Sequence, residues 1–197
     1  MTQKWTDRNL PGALHFVTAN VKERRPIFRR AEACRAFLEE LRLLKQRREC
    51  KIVAFVVMPD HVHLVVNPRD GRVREWMGAL KSLAARRLME VWPRNFFFYK
   101  EGFPPQVWQE SFQALPLSSE WTIWQKINYI HHKPLKAGLA DSAKDYRWSS
   151  FRGFYRMETE EILQVDQEWW WDDDARKLPA ATGECEKELK GKYKKGK

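Results

Sequence analysis

Two histidines and one tyrosine hold the chemistry this sequence offers. His61 and His63 flank Val62 in HVHLVVN (61–67), a run with the β-branched make-up of a strand. Side chains at i and i+2 leave the same face of a strand, so both imidazoles can reach one ion. Val62, Leu64 and Val66 take the other face and belong in a core. Two imidazoles on one face, directly after a turn, form a divalent-metal half-site. The other reading of HxH is a pair of hydrogen-bonded surface histidines. An H-x-H-x-H array is absent because position 65 is Val, and no H-E-x-x-H helix of the zincin kind occurs.

Tyr129 lies in QKINYIHHKPLKAGL, where Ile123, Ile127 and Ile130 mark the buried stripe of a helix. It sits off that stripe, beside Gln125, His132 and Lys133 at i−4, i+3 and i+4. A tyrosine on a polar helix face is ordinarily a surface or rim residue. In combination with the HxH pair and a basic chain it gains a second reading. Its hydroxyl can attack a DNA phosphate and hold it covalently, while a divalent ion polarises the phosphoryl oxygens. A phenol ionises only near pH ~10, so it needs help that a metal, Lys133 or His132 could supply.

The composition points to the same class of partner. Lys and Arg number 36 against 26 Asp and Glu, and the resulting charge of +10 calls for a polyanion, with nucleic acid the usual one. Ten Trp and eleven Phe beside those cations suit unpaired bases better than duplex. Lys22, Arg24 and Arg25 follow the first strand, and Lys81, Arg86 and Arg87 lie on the second helix, where together they could track a phosphate backbone. Trp108 and the Phe96–Tyr99 run are candidates for base stacking or for a satellite hydrophobic cluster. Cys34, Cys50 and Cys185 form no CxxC pair, which argues against a zinc knuckle or a disulfide framework. The N-terminus has no apolar h-region, and no apolar run reaches the roughly 18 residues of a membrane span, so a cytoplasmic protein is expected.

The segments that carry these residues follow one another in a regular order. ALHFVTAN (13–20) alternates as a strand, and Arg30 to about Glu49 carries Phe37, Leu38, Leu41 and Leu44 at helical spacing. KIVAFVV (51–57) and HVHLVVN, joined by MPDH, form an antiparallel hairpin. Residues 73–92 return to helical spacing and end at Pro93; an irregular NFFFYKEGFPP (95–105) precedes a strand expected in QVWQESFQAL. The sum is an α+β, ferredoxin-like β-α-β-β-α-β plan: a four-stranded antiparallel sheet with helices on one face. An additional C-terminal helix carrying the tyrosine is expected from a cap at Ser118 to about Lys133, stopped by Pro134, with Gly138 in the turn beyond. Residues 1–160 are read as one domain that carries the histidine pair and the tyrosine. Residues 161–197 are a C-terminal extension whose final, Lys-rich stretch is expected to be disordered.

MPDHVHLVV, followed downstream by NYIHHKPLKAGL and DYRWSSF, resembles the single-tyrosine HUH transposases, and among them the REP-associated, IS200-like type. The resemblance covers roughly residues 12–155. It implies binding of single-stranded DNA hairpins, and cleavage to a 5′-phosphotyrosine and a free 3′-hydroxyl with Mg2+ or Mn2+. It also implies that His61 and His63 hold the metal, that Tyr129 is the nucleophile, and that the protein is a monomer or homodimer. Two positions depart from the family pattern. Lys133 stands four residues after the tyrosine, where an Asn or Gln usually gives the third ligand, and an ammonium has no lone pair to offer. His132, Asp60 or water then fills that place, or metal binding is weakened. Gln113-Ala114-Leu115 stand where Asp-His often follows the WQ-x-x-F segment. Two rivals follow: a domesticated hairpin-binding protein that has lost catalysis, and an RNA-binding module on the same sheet topology. The second expects exposed aromatics on the central strands, where this chain has HVH.

Overall fold

The computed structural model describes residues 12–92, 105–157 and 162–171. The Phe96–Tyr99 run, Pro93, Cys185 and the Lys-rich C-terminal stretch lie outside them. The elements are β1 (His15–Asn20), α1 (Ala31–Arg47), β2 (Cys50–Met58), β3 (His61–Pro68), α2 (Val73–Val91), β4 (Gln113–Pro116), α3 (Glu120–Lys136) and a short α4 (Phe151–Phe154). The strands form one sheet in the order β2-β3-β1-β4, with all pairs antiparallel. That is the ferredoxin-like plan expected from the sequence.

Helix α1 exists because Ala33, Cys34, Phe37, Leu38, Leu41 and Leu44 recur on one stripe, and all six are buried. They meet Met77, Leu80, Ala84 and Leu88 of α2 and the inward residues Val17, Ala19, Ile52, Phe55, Val57, Val62, Leu64 and Val66 of the sheet. Each fully buried aliphatic side chain there is worth about 1.5–3 kcal/mol. The opposite face of the sheet is covered by α3, whose Ile123, Ile127 and Ile130 pack on Val53, Ala54, Val56, Met58 and Val65. Every residue of β3 is therefore buried, because each of its faces has a roof. A bulge assists this: Ile52 pairs with Val66 and Ala54 with Val65, leaving Val53 as the extra residue. It puts Val53 and Ala54 on the α3 face together, and sets Val56 and Met58 beside His63 and His61.

Two expectations are corrected. Pro134 does not stop the tyrosine helix but lies inside it, and the helix runs on to Lys136. The ring nitrogen cannot donate to the carbonyl of Ile130, yet only the last turn follows it, so little is lost. The true stop is Gly138, at φ 65°, with its N–H on Leu135 and the Leu139 N–H on Pro134. At the start, Ser119 rather than Ser118 is the cap: its hydroxyl accepts from Thr122 N–H, and the Thr122 side chain returns a bond to the Ser119 backbone.

The expected strand over QVWQESFQAL is also shorter. Residues 107–109 bond to the end of β1 and the turn after it, through Gln109 N–H to Asn20 O and Lys22 N–H to Val107 O, both at 2.9 Å. The carbonyls of Gln109 and Glu110 then turn to the Lys81 ammonium at 2.7 and 2.8 Å, and pairing resumes only at Gln113.

The outer edge of β2 is covered by later chain. Val57 N–H donates to Trp148 O and Ser150 N–H to Phe55 O, and Ile52 N–H finds the Asp166 carboxylate at 2.7 Å. Asp166 is paired with Lys45 at 2.8 Å, and Asn67 holds both Trp169 O and the Trp171 indole. An exposed strand edge is a template for unwanted pairing, and these contacts remove it.

Candidate active site

Register between the two central strands builds the site. Thr18 lies opposite His63 and Asn20 opposite His61, so the polar residues of β1 and β3 meet on the α3 face at one end of the sheet. The imidazoles do share that face, with ring centroids 4.8 Å apart, and both are buried. His61 Nδ1 donates to the Asp60 carboxylate at 2.5 Å; a carboxylate only accepts, so this bond leaves Nε2 of His61 as the lone-pair nitrogen. His63 Nδ1 lies 2.9 Å from the Thr18 hydroxyl, while its Nε2 is buried with no partner. A buried lone pair without a partner costs less than a buried N–H without one, so Nδ1 carries the hydrogen and Nε2 is free to ligate.

Electrostatics keep both rings neutral. Burial lowers His61 below its usual range, against the raising effect of its Asp60 hydrogen bond. Burial takes His63 down to about 3, with further lowering from His61 and from the Lys133, Arg24 and Lys126 charges. A neutral imidazole with its second nitrogen tied to an oxygen is the form a metal requires. The residues present thus fit a divalent ion held by two imidazoles. Among the described residues no group of three or more His, Cys, Asp and Glu side chains could hold one. Asp60 is occupied by His61 and by Arg24, the latter at 3.4 Å, and His132 Nδ1 donates to Asn128 O at 2.9 Å.

Tyr129 arrives from α3. Its ring stands edge-on to His63, centroid to centroid 5.3 Å, and edge-on to Phe16 at 5.8 Å, while Phe16 stacks on His63 at 5.4 Å. Two ammoniums flank the ring: Lys133 Nζ lies 5.4 Å from its centroid and Lys126 Nζ 5.9 Å. Lys126, Tyr129 and Lys133 are spaced i, i+3, i+7 and share a face of the helix. Phe16, Thr18, Asn20 and Lys126 were not singled out from the sequence. The helical spacing could have shown Lys126, whereas the three β1 residues needed the strand register.

The basic clusters separate. Arg24 reaches the site, with its guanidinium on Asn20 at 2.6 Å and on Asp60. It sits with Lys22 in a 3-10 turn in which Glu23 and Arg24 adopt left-handed φ of 52° and 55°, and Arg25 follows directly. Lys81, Arg86 and Arg87 lie on α2, across the sheet from the histidines. Lys81 is engaged with the 109–110 carbonyls, and Arg87 with Glu90 at 2.8 Å and Glu40 at 3.7 Å. Trp108 is buried against Phe28 and Phe37, both 5.9 Å away, so it is core and not a stacking platform.

Known proteins share this arrangement of elements. Residues 12–133 match the family described as Transposase IS200 like. A Haemophilus influenzae protein described as a REP-associated tyrosine transposase is 23% identical over 145 residues, 71% of this chain and 80% of that protein. A solved REP-associated tyrosine transposase bound to a REP hairpin has the same fold, at TM-score 0.62 and 17% identity, over 91% of this chain and 100% of that one. The family match takes in β1 through most of α3, with His61, His63, Tyr129 and Lys133 inside it, and so this chain belongs to the IS200-like transposase family.

Proposed function

We propose that the chain is a metal-dependent single-stranded DNA endonuclease and strand transferase acting at REP-like hairpins, with Tyr129 as nucleophile. The observation that carries this is the meeting of Tyr129 with His63 at 5.3 Å within one chain. One copy therefore brings its own tyrosine to its own histidine pair, and a DNA substrate is in keeping with a cytoplasmic protein. The hairpin is inferred from the similar structure, which holds one.

His61 and His63 would hold the ion through their Nε2 atoms. Such an ion supplies charge to the phosphoryl oxygens and aligns the scissile bond. Two imidazole donors favour Mn2+ over Mg2+, which prefers oxygen. The chain's own groups supply the rest. Tyr129 Oη attacks phosphorus, its proton passes to solvent, and the bond from phosphorus to the 3′ oxygen breaks as that oxygen takes a proton from solvent. The products are a 5′-phosphotyrosine and a 3′-hydroxyl; a second 3′-hydroxyl attacking the adduct regenerates the phenol and conserves the bond. Lys126 and Lys133 offset the phosphate charge, while Arg24, Lys22 and Arg25 receive the flanking strand.

Incubation of a labelled single-stranded hairpin with Mn2+ should give a covalent band on a denaturing gel, absent in Tyr129→Phe although that variant binds the hairpin. A band persisting in Tyr129→Phe would move the nucleophile elsewhere. One observation favours a second reading, a hairpin-binding protein that no longer cleaves. The Lys133 ammonium stands at the place of an amide ligand and its charge opposes cation binding beside both histidines. Tight, salt-sensitive hairpin binding with no adduct at any Mn2+ concentration would establish that alternative.

A further inference from the structure

We propose that the hydrogen bond between His131 and Ser150 fixes the roll of α3 about its own axis, and with it the placement of Tyr129 against His63. His131 is fully buried, and its Nε2 lies 2.9 Å from the Ser150 hydroxyl. That hydroxyl accepts from Phe55 N–H at 2.9 Å and donates to Phe55 O at 3.2 Å. Its one hydrogen is thus directed to Phe55, and His131 Nε2 donates to it. Nδ1 of His131 is left buried without a partner, tolerable as a lone pair. Phe151 and Phe154 stand edge-on to the imidazole at 5.4 and 5.3 Å and keep water from the bond. Burial holds the ring neutral, its pKa lowered to about 3.

The geometry of a helix makes this contact matter at a distance. Successive residues are turned by about 100°, so Tyr129 lies about 100° to one side of the buried Ile130 and His131 about 100° to the other. The isoleucine stripe holds α3 to the sheet, but apolar contact is non-directional and resists rolling only weakly. A hydrogen bond is directional and fails as its angle closes. Any roll that lifts Tyr129 from His63 must displace His131 from Ser150. Side chains reach roughly 5–6 Å from the axis, so a roll of about 10° moves the phenol by about 1 Å. The bond is anchored to Phe55, next to Val56, the residue that pairs with His63 itself. His131 and Ser150 are positioning residues: they touch the reacting atoms only through α3.

The catalytic consequence rests on Tyr129 as nucleophile; the geometric one does not, and the test separates them. The full chain is labelled with 3-fluorotyrosine, and the Tyr129 fluorine resonance is identified by its loss in Tyr129→Phe. His131→Met keeps volume and removes the donor, whereas His131→Gln keeps an N–H donor. In His131→Met the Tyr129 resonance should shift and broaden. Single-turnover cleavage should slow about 10- to 100-fold, since a misplacement of about 1 Å can cost about that much, with hairpin Kd within about twofold. His131→Gln should restore both. Ser150→Ala, removing one oxygen, should repeat the His131→Met result and serves if that variant does not fold. An unmoved Tyr129 resonance in His131→Met or Ser150→Ala, or equal loss in His131→Gln and His131→Met, would overturn the proposal. Absence of any wild-type adduct would instead remove the nucleophile reading while the fluorine spectrum still reports the roll.

Discussion

Strand β3 serves two different roofs. Its even-numbered residues Val62, Leu64 and Val66 enter a core shared with α1 and α2, in which apolar side chains meet apolar side chains. Its odd-numbered residues His61, His63 and Val65 face α3, where the floor is polar at one end and apolar at the other. The first face has only to be filled. The second has to hold two neutral imidazoles with a free nitrogen, a phenol and two ammoniums within reach of each other. Stability and chemistry thus share one strand: alternation assigns each to its own face, so neither needs the other's residues.

That division can be tested most forcefully at adjacent positions. Leu64→Ala should cost about 2–5 kcal/mol in urea unfolding, with cleavage per folded molecule nearly unchanged. His63→Gln, one residue earlier, should cost under about 1 kcal/mol while abolishing metal-dependent cleavage. Equal stability losses would mean that the faces are not independent.

Acid should act next, and from the α3 side. His61, His63 and His131 all have lowered pKa values, the last two at about 3, and all three belong to that side. The unfolded chain takes protons as pH falls below about 6.5 while the native state refuses them, so stability is full above about 6.5 and declines toward 3. Between pH 7 and 5 each strongly lowered imidazole should remove on the order of 2 kcal/mol, and His131→Gln should flatten that slope. A curve flat from pH 7 to 4 would refute the assignment of neutral, buried rings.

The smallest effect concerns the charge over the site. Lys133→Asn removes a cation beside both histidines and offers an amide oxygen, so half-saturation by Mn2+ should fall a few-fold, about 1 kcal/mol. Slower cleavage in this variant at saturating Mn2+ would show that the ammonium serves the phenol or the phosphate as it stands.

Much of this was legible in the residues alone, and the rest was not for identifiable reasons. The i, i+2 spacing of His61 and His63 needs only the pleat of one strand, and Tyr129 lying off the isoleucine stripe needs only one helix. The β1 partners were hidden because Thr18 meets His63 through a pairing across some forty intervening residues. The split of the expected fourth strand depends on Lys81, a residue of α2 that takes two of its carbonyls. Pro134 reads as a breaker by local rules, yet it costs little one turn from a helix end whose real stop is Gly138. Trp108 was open between stacking and packing, and only the neighbouring Phe28 and Phe37 decide it.

The pairing of β1 with β4 also has a consequence in time. The β2–β3 hairpin, closed by Pro59 and Asp60, needs only neighbouring residues and can form early as the chain is synthesised. Thr18 must wait for Gln113 and His15 for Pro116, contacts of high sequence separation that make folding slow. Helix α3 follows β4, and the Ser150 that steadies it comes later still. A nascent chain therefore owns its histidine pair well before its tyrosine, and the tyrosine before the contact that aims it. The phenol is the last of these groups to be set in place, so a half-made chain carries its histidine pair and basic turn with no aimed tyrosine above them.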